Sequence, residues 1–187
     1  SKGNPKNYDY SPEEIVKAAL PEQLPSISYT YSEPSMFYEY MLDTAKLARK
    51  SGLKNIMVTN GYINTEPLEE LLPFMDAMNI DLKTYDDKIY RTKLKGSLQP
   101  VINTIEKASK RCHVEVTMLI VPKISDDLNQ IEQAAIKLSE MDKNMPLHLS
   151  RYFPRYHYDE PPTELFLLEQ AYDICRKHLN RVIIGNV

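Results

Sequence analysis

Residues 54–83 read KNIMVTNGYINTEPLEELLPFMDAMNIDLK, and this stretch decides the fold class. KNIMVTN and DAMNIDLK are short segments with apolar centres, which is typical of buried strands. Between them, Leu68, Leu71 and Leu72 fall on one side of a helix predicted over residues 65–74. Two buried strands joined by a crossover helix form a parallel β–α–β unit. The stretch therefore predicts an α/β fold with parallel strands.

The same alternation of strands and helices continues on both sides of this unit. Further strands are predicted at 26–34, 113–122, 147–153 and 181–187. Further helices are predicted at 11–20, 35–52, 86–110 with a break near Gly96, 128–141 and 163–178. The pattern predicts a tail at 1–10 and one domain at 11–187, whose sheet is either open and doubly wound or part of a barrel.

Composition excludes several classes of protein. The 187 residues carry 23 Lys and Arg against 26 Asp and Glu, a balance that argues against binding nucleic acid through many phosphates. No run of about 18 apolar residues is present, so no membrane span is expected. Five dispersed glycines cannot form a GxGxxG or GxxxxGK loop. Two cysteines cannot form a disulfide framework, and we expect a cytoplasmic protein.

Polar residues follow most of the predicted strands. Because the carboxyl ends of parallel strands form the active site of α/β barrels, these residues are the candidates for a functional site. They are Ser32 and Glu33, Thr59 and Asn60, Asp81 and Lys83, Thr117 and Arg151, together with the apolar Val121 before Pro122 at the end of the strand 113–122. Asp81 and Lys83 stand out, because residues two apart on a strand share a face and an inward ion pair is costly without a ligand, a partner or water.

Four segments together resemble the radical S-adenosylmethionine superfamily. They are YTYSEPSMFYEYMLDTAKLARKSGL, IMVTNGYIN, DAMNIDLK and HVEVTMLIVPKISDD, in this order. The resemblance is to proteins like the pyruvate formate-lyase activating enzyme, in particular the AmmeMemoRadiSam group. It covers residues 11–187 and implies a partial (β/α) TIM-like barrel that binds S-adenosylmethionine at the carboxyl ends of its strands.

The resemblance also implies a chemistry. In the family, a CxxxCxxC loop holds a [4Fe–4S] cluster, and one electron from a flavodoxin- or ferredoxin-type donor cleaves S-adenosylmethionine. The resulting 5′-deoxyadenosyl radical removes a hydrogen atom from a protein or a small-molecule substrate, which in the glycyl-radical activases is a glycine of a partner enzyme.

The family's cofactor-binding residues are carried over by position. Ser32 and Glu33 occupy the place of a Gly-Gly-Glu segment that holds the methionine amino group. Thr59 and Asn60 match a Thr-Asn-Gly motif, although Val58 replaces its preceding aspartate. The resemblance implies that Asp81 and Lys83 contact the ribose and the methionine group and that Val121 lies near the adenine. Thr117 stands where the activases have an arginine, and Arg151 would lie on the cavity wall.

The largest departure from the family is that the chain contains no CxxxCxxC motif. We therefore expect a fragment without the first strand and the cluster loop, inactive alone, with no catalytic residue and no metal ligand of its own. The cluster would belong to the full-length parent only. In such a fragment the strand SISYTYSEP would be an edge, open to dimerisation.

Two other interpretations remain open. The domain could be a non-catalytic barrel module that binds a nucleoside ligand or a protein partner. It could also be a cofactor-free lyase or isomerase in which Lys83 acts as a base or a Schiff-base nucleophile tuned by Asp81.

Overall fold

The computed structural model describes residues 9–187, so the predicted tail at 1–10 lies almost entirely outside the described residues. The helices are α1 (Pro12–Ala19), α2 (Tyr38–Lys50), α3 (Thr65–Leu71), α4 (Asp87–Ile89), α5 (Leu98–Ser109), α6 (Leu128–Met141) and α7 (Leu165–Arg176). The strands are β1 (Ser26–Tyr29), β2 (Lys54–Thr59), β3 (Ala77–Asp81), β4 (His113–Ile120), β5 (Leu147–Arg151) and β6 (Val182–Gly185). Short 3₁₀ turns precede α2 and follow α3, and a π-helical turn, Tyr90–Leu94, follows α4. Among the described helices, none combines the length and the apolarity needed to cross a bilayer.

The six strands form one parallel sheet in the order β1-β2-β3-β4-β5-β6. Because the strand order follows the chain and never reverses, the sheet is barrel-like and not doubly wound. This confirms the predicted α/β fold and its partial-barrel form. Within the described residues β1 has β2 as its one neighbour, so the strand predicted to be an edge is an edge. The dimer contact proposed for that edge stays a prediction.

The helices cover one face of the sheet, and the hydrophobic core lies between this face and the helices. Buried strand residues of this face alternate with half-exposed ones on the other. The core includes Met57, Met78, Ile80, Val116 and Ile120 from the strands and Leu68, Leu71, Ile105, Ile131 and Leu138 from the helices. Burying an aliphatic side chain contributes about 1.5–3 kcal/mol, so this face stabilises the domain. The second face keeps its polar side chains partly accessible.

A buried asparagine connects the first two strands to the helical layer. The side chain of Asn55 on β2 is fully buried; it accepts a hydrogen bond from the Tyr29 hydroxyl at 2.9 Å. Its amide nitrogen donates to the carbonyls of Ala45 and Phe74, both at 3.0 Å. These bonds position edge strand β1 against β2 and α2.

Helix ends follow the sequence signals. Ser11 caps α1 through its hydroxyl, and Glu14 reaches back to the Ser11 backbone N–H, which completes the predicted capping box. Gly52 has a φ of +80° after α2, the left-handed conformation expected there.

Each strand is shorter than its predicted range, and the structure shows the reason for β1 and β5. β1 ends at Tyr29 instead of continuing to residue 34, because Tyr31 and Ser32 have left-handed φ angles of +55° and +66°. A residue in that region cannot continue an extended strand. β5 ends at Arg151, because Tyr152 binds Thr163 in the next loop: the Tyr152 N–H donates to the Thr163 hydroxyl at 3.1 Å, and the Tyr152 carbonyl accepts from the Thr163 N–H at 3.2 Å.

Candidate functional site

Strained backbone collects at one end of the sheet. Seven non-glycine residues of the described chain have positive φ, and all except Gln23 lie in the connections that follow strands. They are Tyr31 and Ser32 after β1, Lys95 at the end of the π-helical turn in the connection from β3 to β4, Lys123 after β4, Tyr156 after β5 and Asn186 after β6. Such conformations cost about 1–3 kcal/mol each and collect at functional sites. The carboxyl edge of the sheet is therefore the candidate site on backbone geometry alone.

A cavity of about 430 Å³ opens at this edge beside β1, β2 and β3. Three of its lining residues are sequence-predicted site residues: Glu33, Asn60 and Lys83. The others are Ser35, Met36, Tyr62, Tyr90, Leu94, Lys95, Gly96 and Val101. A cavity of this size with a few polar groups in an apolar lining suits a small organic ligand.

The Glu33 carboxylate joins the loops after β1 and β2. One oxygen accepts from the Thr59 hydroxyl at 2.6 Å and from the Ser35 hydroxyl at 3.1 Å, and the other accepts from the Asn60 backbone N–H at 2.7 Å. The Thr59 hydroxyl in turn accepts from the Gly61 N–H at 3.1 Å. The structure thus brings Glu33, Thr59 and Asn60 together, and the carboxylate is already engaged by the protein.

Gly61 allows the second loop to pass close to the core. Its φ is +71°, and a Cβ atom there would lie 2.8 Å from Ile80 Cγ2 and 3.2 Å from Val101 Cγ1. Both the conformation and the space require glycine. This close passage places Asn60 at the cavity.

Asp81 and Lys83 form the ion pair that their spacing predicts, with the Lys83 ammonium 2.5 Å from the Asp81 carboxylate. Both side chains are partly exposed, so solvent and a ligand can reach the pair. The Lys83 backbone N–H donates to the Tyr90 hydroxyl at 3.2 Å. Burial raises the pKa of Tyr90 to about 12, so this phenol is neutral at physiological pH. Tyr90 begins the π-helical turn, a feature often found at functional sites.

Of the other predicted site residues, Thr117, Val121 and Arg151 lie farther along the same edge and do not line this cavity. The Thr117 hydroxyl donates to the Asn79 side-chain carbonyl at 2.9 Å on the half-exposed face. The Val121 backbone N–H donates to the Ser125 hydroxyl at 2.8 Å. The Arg151 guanidinium donates to the Thr163 carbonyl at 2.8 Å and lies 4.8 Å from the centre of the Phe153 ring. Ser32 is exposed in the left-handed loop after β1.

Sequence reasoning missed a cluster on the half-exposed face. The Glu115 carboxylate lies 3.0 Å from Nε2 of His113 and 2.7 Å from Nε2 of His148. Its hydrogen bonds to His113 and then to His148 hold the pKa of the Glu115 carboxyl below its usual range. His113 and Glu115 are two apart on β4, which is a visible signal. His148 comes from β5, and its proximity depends on a register that the sequence does not reveal.

The described residues do not fit an iron–sulfur cluster. No group of three or more His, Cys, Asp or Glu side chains among residues 9–187 is arranged to hold a metal ion. Cys112 follows α5 and Cys175 is buried in α7. Burial raises the pKa of Cys112 to about 11 and that of Cys175 to about 12, whereas a cluster ligand must be a thiolate.

Comparison with known proteins identifies the family. The model of the Radical SAM superfamily matches residues 1–135, well over half of the chain. The chain belongs to the radical SAM superfamily. This confirms the predicted family, whose members are oxidoreductase-type enzymes that use S-adenosylmethionine.

Two relatives and a solved structure extend the comparison. An uncharacterised protein of Methanocaldococcus jannaschii is 43% identical to this radical SAM chain over 183 residues, which cover 96% of the chain and 54% of the relative. The (2S)-3-sulfopropanediol dehydratase activating enzyme of Klebsiella oxytoca is 21% identical over 110 residues, covering 58% of the chain and 35% of the enzyme. The chain thus spans about half of the first relative and about a third of the second.

The structural comparison is with a domain of the pyruvate-formate lyase-activating enzyme from Bacteroides vulgatus. It superposes with a TM-score of 0.73 at 17% identity and covers 86% of this chain and 99% of the domain. At this identity the likeness shows the fold alone.

Proposed function

We propose that the chain is the barrel portion of a radical SAM enzyme of the activating-enzyme type. In the whole protein it would bind S-adenosylmethionine at the carboxyl edge of the sheet. The observation that carries the proposal is the convergence of Glu33, Asn60 and Lys83 on one cavity, from three successive loops. These are three of the positions that the resemblance to the family assigns to this cofactor.

The chain's own residues would bind and orient the cofactor. S-adenosylmethionine, when bound and reduced, supplies a 5′-deoxyadenosyl radical that abstracts a hydrogen atom. Its methionine end carries an ammonium and a carboxylate, and the Asp81–Lys83 pair offers the complementary charge for both. The Asn60 side-chain carbonyl accepts from the Tyr62 N–H at 2.8 Å, which leaves the Asn60 amide nitrogen to donate to the ligand.

Glu33 has a positioning role in this proposal. Its two oxygens bind groups of the protein, so it shapes the loops of the cavity instead of contacting the cofactor with its full charge. The ligands of a [4Fe–4S] cluster would come from a part of the parent protein outside the described residues. An electron donor of the flavodoxin or ferredoxin type would deliver the electron there.

The substrate of the parent is proposed by class only. The Klebsiella relative is named as the activating enzyme of a dehydratase, and this supports a protein substrate that receives a glycyl radical. A small-molecule substrate is the other class that the barrel could admit.

Binding to the isolated chain tests the first step. Equilibrium dialysis with S-adenosylmethionine should show saturable binding to the wild-type chain. Lys83→Met should weaken it roughly tenfold, because a charge-assisted hydrogen bond contributes about 1.5–3 kcal/mol. Lys88→Met is the matched control, since this exposed lysine has no side-chain partner in the described structure. Equal loss in both variants would contradict the assigned site.

Activity of the parent tests the second step. The gene that encodes this chain should be expressed with its flanking sequence and reconstituted with iron and sulfide without oxygen. A reductant should then release 5′-deoxyadenosine, measured by liquid chromatography. If the extended protein contains no three-cysteine motif, or releases no 5′-deoxyadenosine, the enzymatic part of the proposal fails and the alternative of a non-catalytic binding module gains support.

A further inference from the structure

Tyr90 is a buried residue in the wall of the proposed cofactor cavity. It is 4% exposed and lines the cavity together with Lys83 and Asn60. Its hydroxyl oxygen accepts from the Lys83 backbone N–H at 3.2 Å. Within residues 9–187 the hydroxyl hydrogen has no acceptor. A hydrogen-bond donor is therefore left at the cavity wall.

The other buried tyrosines of the described chain do not share this feature. Three tyrosines of residues 9–187 are buried: Tyr29, Tyr90 and Tyr152. The Tyr29 hydroxyl donates to the Asn55 side-chain oxygen at 2.9 Å. The Tyr152 hydroxyl donates to the Tyr158 carbonyl at 2.6 Å. Because buried polar groups are as a rule hydrogen-bonded, the hydroxyl hydrogen of Tyr90 calls for a partner inside the cavity.

Other groups that line the cavity also have hydrogens to donate. The Lys83 ammonium uses one hydrogen on Asp81, and the Lys95 ammonium uses one on a backbone carbonyl at 3.0 Å. The Asn60 amide nitrogen is left to donate. Glu33, the carboxylate in the lining, accepts from protein groups on both of its oxygens. The cavity therefore presents several donors to a ligand, and its own carboxylate does not satisfy them.

The charges at the cavity suit a zwitterion better than a simple anion. Lys83 and Lys95 bring two positive charges. The carboxylates of Glu33, in the lining, and of Asp81, paired with Lys83, balance them. An amino-acid group is neutral overall, and it brings a carboxylate that accepts from several donors at once and an ammonium that matches Asp81.

We propose that the Tyr90 hydroxyl donates a hydrogen bond to the carboxylate of an amino-acid group bound in this cavity, beside the Lys83 ammonium. The hydroxyl oxygen lies 3.2 Å from the Lys83 backbone nitrogen, so both donors start from the same part of the wall. For the identity of the ligand the inference rests on the proposed function, in which the amino-acid group is the methionine end of S-adenosylmethionine. It adds Tyr90, a residue that the resemblance to the family does not assign.

The fold holds this hydroxyl in place and keeps its proton. The Gly96 N–H donates to the Tyr90 carbonyl at 3.1 Å, which folds the end of the π-helical turn back onto Tyr90. Burial raises the pKa of Tyr90 to about 12, and the nearby charge of Asp81 adds to the rise. The hydroxyl therefore remains a donor at physiological pH.

Two ligands that differ only in the carboxylate test the contact. They are S-adenosylmethionine and its decarboxylated analogue, which keeps the ammonium, the sulfonium and the adenosine. In equilibrium dialysis, Tyr90→Phe should weaken S-adenosylmethionine binding roughly tenfold, the effect of losing one hydrogen bond to a charged group. It should leave binding of the analogue unchanged, whereas a purely structural role of Tyr90 would weaken both. Tyr31→Phe, at a tyrosine that is 92% exposed, is the control and should change neither affinity.

A second variant separates direct donation from an effect through Lys83. Tyr90→Phe also leaves the Lys83 N–H without its acceptor, so the substitution is repeated in a Lys83→Met background. If the hydroxyl itself contacts the carboxylate, Tyr90→Phe should still reduce the preference for S-adenosylmethionine over the analogue there. An unchanged preference would mean that Tyr90 acts only by positioning Lys83, and the proposed hydrogen bond would be wrong.

Nuclear magnetic resonance with tyrosine ¹³C-labelled at Cζ tests the contact in the wild-type chain, so it does not depend on whether a variant folds. The Tyr90 signal should shift and saturate with S-adenosylmethionine and with L-methionine, and much less with L-methioninamide, which lacks the carboxylate. The Tyr29 signal is the internal control, because its hydroxyl already donates to Asn55. It should not move.

The outcomes separate this inference from the proposed function. Equal weakening of both nucleoside ligands by Tyr90→Phe, or an equal response of the Tyr90 signal to L-methionine and L-methioninamide, would overturn the hydrogen bond to the carboxylate. If S-adenosylmethionine binds without any response of Tyr90, this inference fails and the proposed function does not. If L-methionine shifts the Tyr90 signal while S-adenosylmethionine does not bind, the proposed function fails and the carboxylate contact remains.

Discussion

The Thr59 hydroxyl donates a hydrogen bond of 2.6 Å to the Glu33 carboxylate, across 26 positions of sequence. This bond joins the loops after the first two strands of the sheet. A glutamate that the resemblance to the family would assign to cofactor binding therefore also has a structural role. That role is measurable without any ligand.

Replacing Glu33 by Gln should destabilise the domain. Glutamine keeps the shape but loses the charge, and it replaces an acceptor of the Thr59 hydroxyl or of the Asn60 N–H with a donor. Hydrogen bonds to charged groups contribute about 1.5–3 kcal/mol, so we expect a loss of this order in urea unfolding at pH 7. Glu22→Gln, at an exposed turn, should change little. Equal stability of the two variants would show that Glu33 does not have this structural role.

Gly61→Ala should be far more costly than Gly52→Ala. Both glycines have left-handed φ angles, +71° and +80°, so both variants incur about 1–2 kcal/mol of backbone strain. Only at Gly61 would the new Cβ meet a neighbour, Ile80 Cγ2 at 2.8 Å, and overpacking adds about 1–3 kcal/mol. Thermal or urea unfolding of the pair isolates the steric part. If Gly52→Ala proves as destabilising as Gly61→Ala, the close packing of the second loop is wrong.

Tyr29→Phe should destabilise the edge of the sheet. The phenylalanine would leave the buried Asn55 side-chain oxygen without its donor, at a cost of about 1–3 kcal/mol. Tyr31→Phe is the control, because Tyr31 is 92% exposed and should tolerate the change. Urea unfolding measures both, and hydrogen exchange of the β1 amides should accelerate only in Tyr29→Phe.

Stability should fall at alkaline pH. Burial raises the pKa of Tyr90 to about 12 and, also through burial, raises that of Tyr29 above its ordinary range. In the unfolded chain a tyrosine loses its proton near pH 10, so between about pH 10 and 12 the unfolded state binds fewer protons than the folded state. The contribution of these two buried phenols to the free energy of unfolding is therefore complete below about pH 10, and it decreases as the pH rises above that value. Tyr90→Phe should make this decrease less steep in a series of urea titrations, and an unchanged slope would contradict the buried phenol.

The parts of the fold that were predictable are those that local patterns specify. The capping box at Ser11, the left-handed Gly52 and the break near Gly96 all involve residues within a few positions of one another. The strand 113–122 was predictable because a run of alternating apolar residues is long enough to identify. These signals also suffice for the parallel alternation, but they left the strand order open between a doubly wound sheet and a barrel, and only the family resemblance favoured the barrel.

The parts that were not predictable depend on contacts between distant strands. Asn55 looks like a solvent-facing residue of KNIMVTN. Its side chain can be buried because hydrogen bonds to Tyr29, Ala45 and Phe74 satisfy its polar atoms. The Glu115 cluster needs His148, which lies 33 positions away and meets Glu115 through the register of β4 and β5. No local pattern encodes a register, so the sequence indicated candidate residues at the carboxyl ends of the strands but missed this group on the sheet face.

The Asp81–Lys83 pair should contribute little to stability and much to ligand binding. Both side chains are partly exposed, at 33% and 45%, and ion pairs in contact with solvent are worth about 0–1 kcal/mol. A double-mutant cycle with Asp81→Asn and Lys83→Met should therefore give a coupling energy below about 1 kcal/mol in urea unfolding. The exposed Asp87–Arg91 pair, at 2.5 Å, is the matched control and should give a coupling of the same size. Only the first pair should affect S-adenosylmethionine affinity. A large stability coupling for Asp81 and Lys83, with no effect on binding, would show that the pair is structural. It would contradict the proposal that these two charges bind the methionine end of S-adenosylmethionine.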